Sequence, residues 1–370
     1  MNFDFSDDQR MLRDHARRFL SERSGPAQVR AVLEGEQSYD AGLWKGMGEL
    51  GWMGTALPEE FGGLGLGQVE LCVIAEEIGR ALAPTPFSST VYLAANAILL
   101  AGSEEQKRER LTALAAGETI ATLALTEGNG AATAAALQTR YADGRISGSK
   151  TPVADGDIAD LAVVVAKGAG GPVLCLVDLT GEGVRRETLG TIDPTRSHAT
   201  ISFDNAPAEL LGDGGDQWAL LEQVMDRAAI LFAFEQIGGA QACLEMACDY
   251  AKERYAFGRP IGSFQAVKHK LADIYMKTEL ARSNAYFGAW ALSTGAAELP
   301  VAAAAARVAG SEAFNFAAAE NIQTHGGMGF TWELDCHMYY RRAKLLALAL
   351  GSQKRWKDRL IDRLEQRNAA

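Results

Sequence analysis

The periodicity of the chain changes twice, near Glu118 and again near Asp216, and that change sets its class. Up to residue 118 apolar residues recur at helical spacing. Met11, Leu12, Ala16, Phe19 and Leu20 form one stripe behind a Ser6-Asp7-Asp8-Gln9 capping box. Further helices are expected over 40–50, closed by Gly51, over 69–80, over 88–101, and from Ser103 to about Gly117. Ala83-Pro84-Thr85-Pro86 breaks the run. From 119 the signal turns to β. Residues 119–126, 161–166, 172–179 and 199–203 read as strands, and Asp143-Gly144 as a hairpin turn. Strands joined by turns, with no helices between, predict a small antiparallel domain. Helices then return. A long apolar one covers 220–252, and a second carries Phe264, Val267, Leu271, Ile274 and Thr278 on one stripe. A third lies between Pro300 and Gly326-Gly327, and two more cover 334–350 and the stretch from Ser352. The expected class is α+β: an N-terminal helical domain (1–118), a middle antiparallel β-domain (119–212) and a C-terminal four-helix-bundle domain (213–370).

Composition narrows the function classes. The 370 residues suffice for two or three domains with a large core. A net charge of −11 speaks against a nucleic acid or an anionic membrane as partner, so any anion site has to be local. No apolar run is long enough to span a bilayer, and Met1-Asn2-Phe3-Asp4-Phe5-Ser6-Asp7-Asp8 has no signal pattern. The expected location is the cytoplasm. The five cysteines form no CxxC pair and the five histidines no ligand cluster, so neither a metal nor a disulfide framework is expected.

Three glycine-bearing segments invite a functional interpretation. In Leu57-Pro58-Glu59-Glu60-Phe61-Gly62-Gly63-Leu64-Gly65-Leu66-Gly67 no Lys-Ser/Thr follows and no strand precedes, so a packing loop is expected rather than a phosphate loop. Gly128-Asn129-Gly130-Ala131-Ala132 resembles a dinucleotide fingerprint only faintly, without a parallel βαβ unit around it. The third is Arg254-Tyr255-Ala256-Phe257-Gly258-Arg259-Pro260-Ile261-Gly262-Ser263-Phe264-Gln265, a forced corner between two long helices. A capped helix hairpin accounts for its glycines and proline. Its two arginines and phenylalanine are unusual in a mere connector.

That corner, followed by Ala266-Val267-Lys268-His269 and Leu271-Ala272-Asp273, resembles the Arg-x-x-Phe-Gly-x-Pro-Ile-x-x-Phe-Gln signature of the flavin-dependent acyl-CoA dehydrogenases. The resemblance extends to Leu57-Pro58-Glu59-Glu60-Phe61-Gly62-Gly63-Leu64-Gly65 and to the helical, β, helical order of the whole chain. It implies an FAD cofactor and an acyl-CoA substrate. It also implies that Arg254, Phe257 and Gln265 reach across a subunit interface to the adenosine diphosphate part of a neighbour's FAD. A guanidinium suits that task because it presents fixed donors to phosphate oxygens. Gln323-Thr324-His325-Gly326-Gly327-Met328-Gly329-Phe330 is similar to the family segment that approaches the same FAD, which assigns Gln323, Gly326 and Gly327 to the cofactor. His325 and His337 are expected to be structural.

The family's catalytic Glu has no counterpart. Its two known positions correspond here to Leu350, before Gly351, and to Ala228, upstream of Arg254. The nearest carboxylate on the same helical face as Ala228 is Glu235, two turns and about 10 Å away; Asp226 is a lesser candidate. Of the Thr-Glu-x-x-Ala/Gly-Ser-Asp pattern that contacts flavin, Thr126-Glu127 remain and the Ser-Asp pair does not. Lys150-Thr151-Pro152-Val153-Ala154 stands where the family often has Lys-x-Trp-Ile-Thr, so ring stacking and a hydroxyl donor are both missing. Thr331-Trp332-Glu333, His337 and Arg341-Arg342 resemble a bacterial branch with α2β2 members acting in steroid side-chain degradation. Taken together the resemblance implies a cofactor-supporting subunit, partnered by a homologous chain. The alternative is a self-sufficient homotetramer using a relocated base such as Glu235. Oxidase or monooxygenase chemistry on the same fold is a third option that no residue favours.

Overall fold

A computed structural model describes residues 6–128, 130 and 132–369. The Met1–Phe5 end and two positions of the faint dinucleotide segment, Asn129 and Ala131, lie outside the described residues, as does Ala370. In chain order the helices are α1 (Asp7–Arg23), α2 (Pro26–Glu34), α3 (Ala41–Glu49), α4 (Gln68–Arg80), α5 (Asn96–Ala101) and α6 (Glu104–Ala115). Strands β1 (Ala121–Ala124), β2 (Arg140–Ala142), β3 (Arg145–Ala154), β4 (Leu161–Gly168), β5 (Gly171–Asp178), β6 (Val184–Thr188), β7 (His198–Pro207) and β8 (Glu209–Leu210) follow. Then come α7 (Trp218–Glu253), β9 (Tyr255–Ala256), β10 (Arg259–Pro260), α8 (Gln265–Thr294), α9 (Leu299–His325), α10 (Cys336–Leu346) and α11 (Gln353–Ala369). The class is the expected one, a helical N-terminal domain, a β-sheet middle domain and a helical C-terminal domain.

The chain divides into two compact units. The first comprises Met1–Val29, Gln68–Ala83 and Ala229–Ala370. Its α1 starts as the sequence predicts, with Ser6 and Gln9 capping each other reciprocally. Helices α4 and α7 cross with almost no gap. A Cβ at Gly79 would fall 1.8 Å from the Glu235 carbonyl oxygen, and one at Gly238 1.8 Å from that of Glu76. Glycine at both positions is what lets the two backbones meet. Ion pairs with buried carboxylates tie the helices together around this crossing: Arg17, itself half-exposed, grips Glu77 with two nitrogens, and Arg282 pairs with Glu76. At the end of α9, Gly326 takes φ +60 and stops the helix, as Pro-first, Gly-last patterning predicts.

The second unit comprises Arg30–Gly67 and Pro84–Ala228. Its sheet runs β6-β7-β3-β2-β4-β5-β8, with β1 beside β4. Asp143 and Gly144 both have positive φ and turn β2 into β3, the geometry that a two-residue hairpin requires. Strands β4 and β5 are buried almost throughout and pair over eight residues. The sheet is not wholly antiparallel: β1 runs parallel to β4, and β2 touches β4 in the same sense. A parallel pair needs a long crossover, and the hairpin between β1 and β4 supplies it. Residues 88–101, read as one helix, begin instead with a π-helical stretch, Ser88–Ala95. The Asn96 amide there donates to the carbonyls of Val91 and Tyr92. The loop around Gly62-Gly63 packs on α6, with Gly62 against Thr112, as expected of a packing loop.

Candidate functional site

The corner between α7 and α8 is a miniature hairpin, with β9 and β10 paired through Ala256–Arg259 and Tyr255–Pro260. Its two turn residues are Phe257 and Gly258, both at positive φ, +53° and +79°. Glycine tolerates that conformation, whereas phenylalanine rarely adopts it. Phe257 is 94% exposed. Behind it the Arg259 guanidinium lies 4.1 Å from the centre of the Phe264 ring, and Phe257 meets that ring edge-on at 6.2 Å. The stack fixes the corner while Arg254 and Gln265 stay exposed.

The end of α9 presents a second outward surface in the same unit. Gln323, Gly326 and Gly327 are exposed, and a Cβ at either glycine would meet nothing within 4 Å, so the backbone there is open to close approach. Phe330 is 78% exposed, and the Trp332 ring stacks on His337 at 4.6 Å, with the Arg341 guanidinium 5.3 Å from the centre of the Trp332 ring. His325 is buried, contacts the Tyr250 ring at 4.2 Å and hydrogen-bonds the Asn321 carbonyl at 2.8 Å. Open glycine backbone, an exposed guanidinium and exposed rings fit the phosphate and adenosine parts of FAD.

The two positions where the resemblance expects a base, Leu350 and Ala228, are enclosed. Leu350 is 3% exposed in the turn after α10, where its carbonyl accepts a bond of 3.0 Å from the Trp356 indole. Ala228 is fully buried in α7. Glu235 has no exposed surface; its carboxylate lies 3.7 Å from a nitrogen of Arg342, itself buried, whose other nitrogen donates to the Leu82 carbonyl. Arg307 is buried nearby, donating to Gln236 and to the Leu346 carbonyl. Burial pulls its guanidinium down to about 9, against the attraction of Glu235. Asp226 is buried as well.

In the second unit Thr126 and the Lys150-Thr151-Pro152 segment are laced together. The Thr126 hydroxyl donates to the Pro152 carbonyl at 2.8 Å, and the Thr151 amide to the Thr126 carbonyl at 2.8 Å. Beneath them Lys150, 0% exposed, bonds Glu127 at 2.6 Å and the Leu125 carbonyl at 3.1 Å. Glu127 also accepts from the amides of Gln138 and Thr139. Burial pushes its carboxyl up, but Lys150 and these amides outweigh that and hold it below the usual carboxylate range. The Lys150–Glu127 pair carried no weight in the sequence: Lys150 stands between Ser149 and Thr151 in a polar-alternating stretch, where a lysine reads as solvent-facing. Among the described residues no group of His, Cys, Asp or Glu is arranged to hold a metal ion.

Comparison with known proteins places these features in context. Residues 6–118 match the N-terminal domain, and residues 215–364 the C-terminal domain, of acyl-CoA dehydrogenases. The chain is 36% identical over 349 residues to acyl-CoA dehydrogenase IpdE2 of Mycobacterium tuberculosis, covering 94% of each. It is similar to a solved variant of the Tcur3481-Tcur3483 steroid ACAD, at 33% identity and a TM-score of 0.90 over 98% of this chain and 99% of that one. It is also similar to a chain of the ChsE4-ChsE5 complex from Mycobacterium tuberculosis, at 27% identity and a TM-score of 0.89 over 99% of each.

Proposed function

Because this chain belongs to the acyl-CoA dehydrogenase family, FAD-dependent oxidoreductases acting on CH–CH bonds, we propose that it is the cofactor-supporting subunit of a hetero-oligomeric acyl-CoA dehydrogenase. Its partner is a homologous chain, in an α2β2 assembly, that carries the catalytic Glu. The chemistry that bound FAD would supply is that of a hydride acceptor for the β-hydrogen of the acyl thioester. This chain's part is to hold the cofactor. Arg254 offers a guanidinium to the pyrophosphate, the open backbone at Gly326 and Gly327 permits close approach, and Phe257, Gln265 and Gln323 flank it. Thr126 remains as the middle-domain contact: its proton goes to Pro152, but its oxygen can still accept.

The observation that carries this proposal is a contrast. The corner at Phe257 is formed and turned outward, while both base positions are aliphatic and enclosed. A general base has to reach the proton it removes. Glu235, the alternative for a self-sufficient homotetramer, has no exposed surface and faces Arg342. The pairwise names of the Tcur3481-Tcur3483 and ChsE4-ChsE5 relatives agree with a mixed assembly, and the first points to a steroid-derived acyl-CoA as substrate. Among the described residues no helix is long and apolar enough to cross a membrane; action in the cytoplasm is part of the proposal. The test is thioester-dependent dye reduction by the chain alone and after co-expression with a homologue that has the Glu. Turnover should require both chains; full turnover by this chain alone contradicts the proposal.

A further inference from the structure

A partly open cavity of about 230 Å³ lies inside the first unit, apart from every residue assigned above to the flavin or to the base. It is enclosed by the last turn of α1, the start of α2, the end of α4 and the first turn of α10. Leu350 stands beyond the opposite end of α10, so the cavity is separate from the base position. Leu20, Val29, Leu82 and Met338, all buried, make its walls apolar. A dry cavity of roughly 150 Å³ already accepts benzene, so this one has room for a fused pair of small rings.

The polar groups narrow the choice of ligand. Arg17 at the rim is held by Glu77 at 2.7 and 2.9 Å, Arg80 by Glu245, and Asp335 is likewise engaged. The Tyr339 hydroxyl donates to the Arg80 carbonyl at 2.9 Å. Ser24, whose backbone amide caps the end of α1 by donating to the Leu20 carbonyl, lines the cavity, and its hydroxyl is enclosed with no hydrogen-bond partner among the described residues. Leaving a buried hydroxyl unpaired costs on the order of 1–3 kcal/mol, and an oxygen brought in by a ligand removes that cost. With every charge at the rim engaged, nothing in the wall selects an ion. We propose that this cavity binds a neutral, largely hydrocarbon molecule of ring size whose single hydroxyl or carbonyl oxygen pairs with Ser24.

Calorimetric titration of the full chain, with its partner subunit where the two purify together, tests this with three probes: indanone, indane and indane carboxylate. Indanone should bind, indane about tenfold more weakly, and the carboxylate not measurably. Ser24→Ala should erase the difference between indanone and indane. Ala81→Phe, which fills the cavity from a half-buried lining position, should abolish binding of both. Absence of indanone binding overturns the proposal. So does discrimination that survives Ser24→Ala, or binding that survives Ala81→Phe, which would put the ligand elsewhere, for example in the acyl site. Thermal melting of each variant separates lost binding from lost folding, and the Ser24→Ala comparison stands if Ala81→Phe fails to fold.

Discussion

Phe257 holds an unfavourable backbone conformation and buries almost nothing in its own chain. Strain of that kind, of order 1–3 kcal/mol, persists where the surroundings over-determine it, and here the Arg259–Phe264 stack supplies the local hold. On the proposed function the exposed side chains around it meet the cofactor. Arg254→Ala should therefore leave stability within about 0.5 kcal/mol, as surface substitutions do. FAD retention by the mixed assembly should weaken about ten- to hundredfold, the worth of hydrogen bonds to a charged group; equilibrium dialysis against free FAD measures it. Glu235→Gln should do the opposite. It strips a buried partner from Arg342, costing about 3 kcal/mol in urea unfolding, yet turnover per folded assembly should be kept. Loss of turnover with stability intact would make Glu235 the base. The corner was legible in the sequence because its glycines, proline, arginines and phenylalanine are neighbours. The Glu235–Arg342 pairing was not, because α7 and α10 meet only through the fold.

Between elements, the Lys150–Glu127 pair latches the turn after β1 to β3. Glu127→Gln would leave a buried ammonium without its counter-charge, and should destabilise the chain by about 3 kcal/mol at neutral pH. The sign with pH follows from the carboxyl being held low: its contribution is complete above its ordinary value of 4.5 and is lost as pH falls through the folded-state value. The gap in urea midpoint between the parent and Glu127→Gln should thus close in acid, and a gap that stays constant would rule the latch out. Strands β4 and β5 were legible because both faces are buried, which writes them as unbroken apolar runs. β6 was not: Val184-Arg185-Arg186-Glu187-Thr188 is an exposed, charged edge strand, a composition that protects edges and hides them from pattern reading. The parallel pairing of β1 with β4 also escaped, since strand partners are set by topology rather than by local sequence.

At the scale of the whole molecule, the helical, β, helical order was written in the periodicity itself. What periodicity cannot write is a site completed by another chain. That part came from which motif residues were kept and which were replaced, and it is the central claim. The most direct measurement is the flavin content of the purified protein, alone and co-expressed with a homologue bearing the catalytic Glu. The expected result is a colourless chain alone and a yellow mixed assembly with about one FAD per pair of unlike subunits. A chain that purifies alone with one FAD per subunit and reduces dye with an acyl thioester would contradict it.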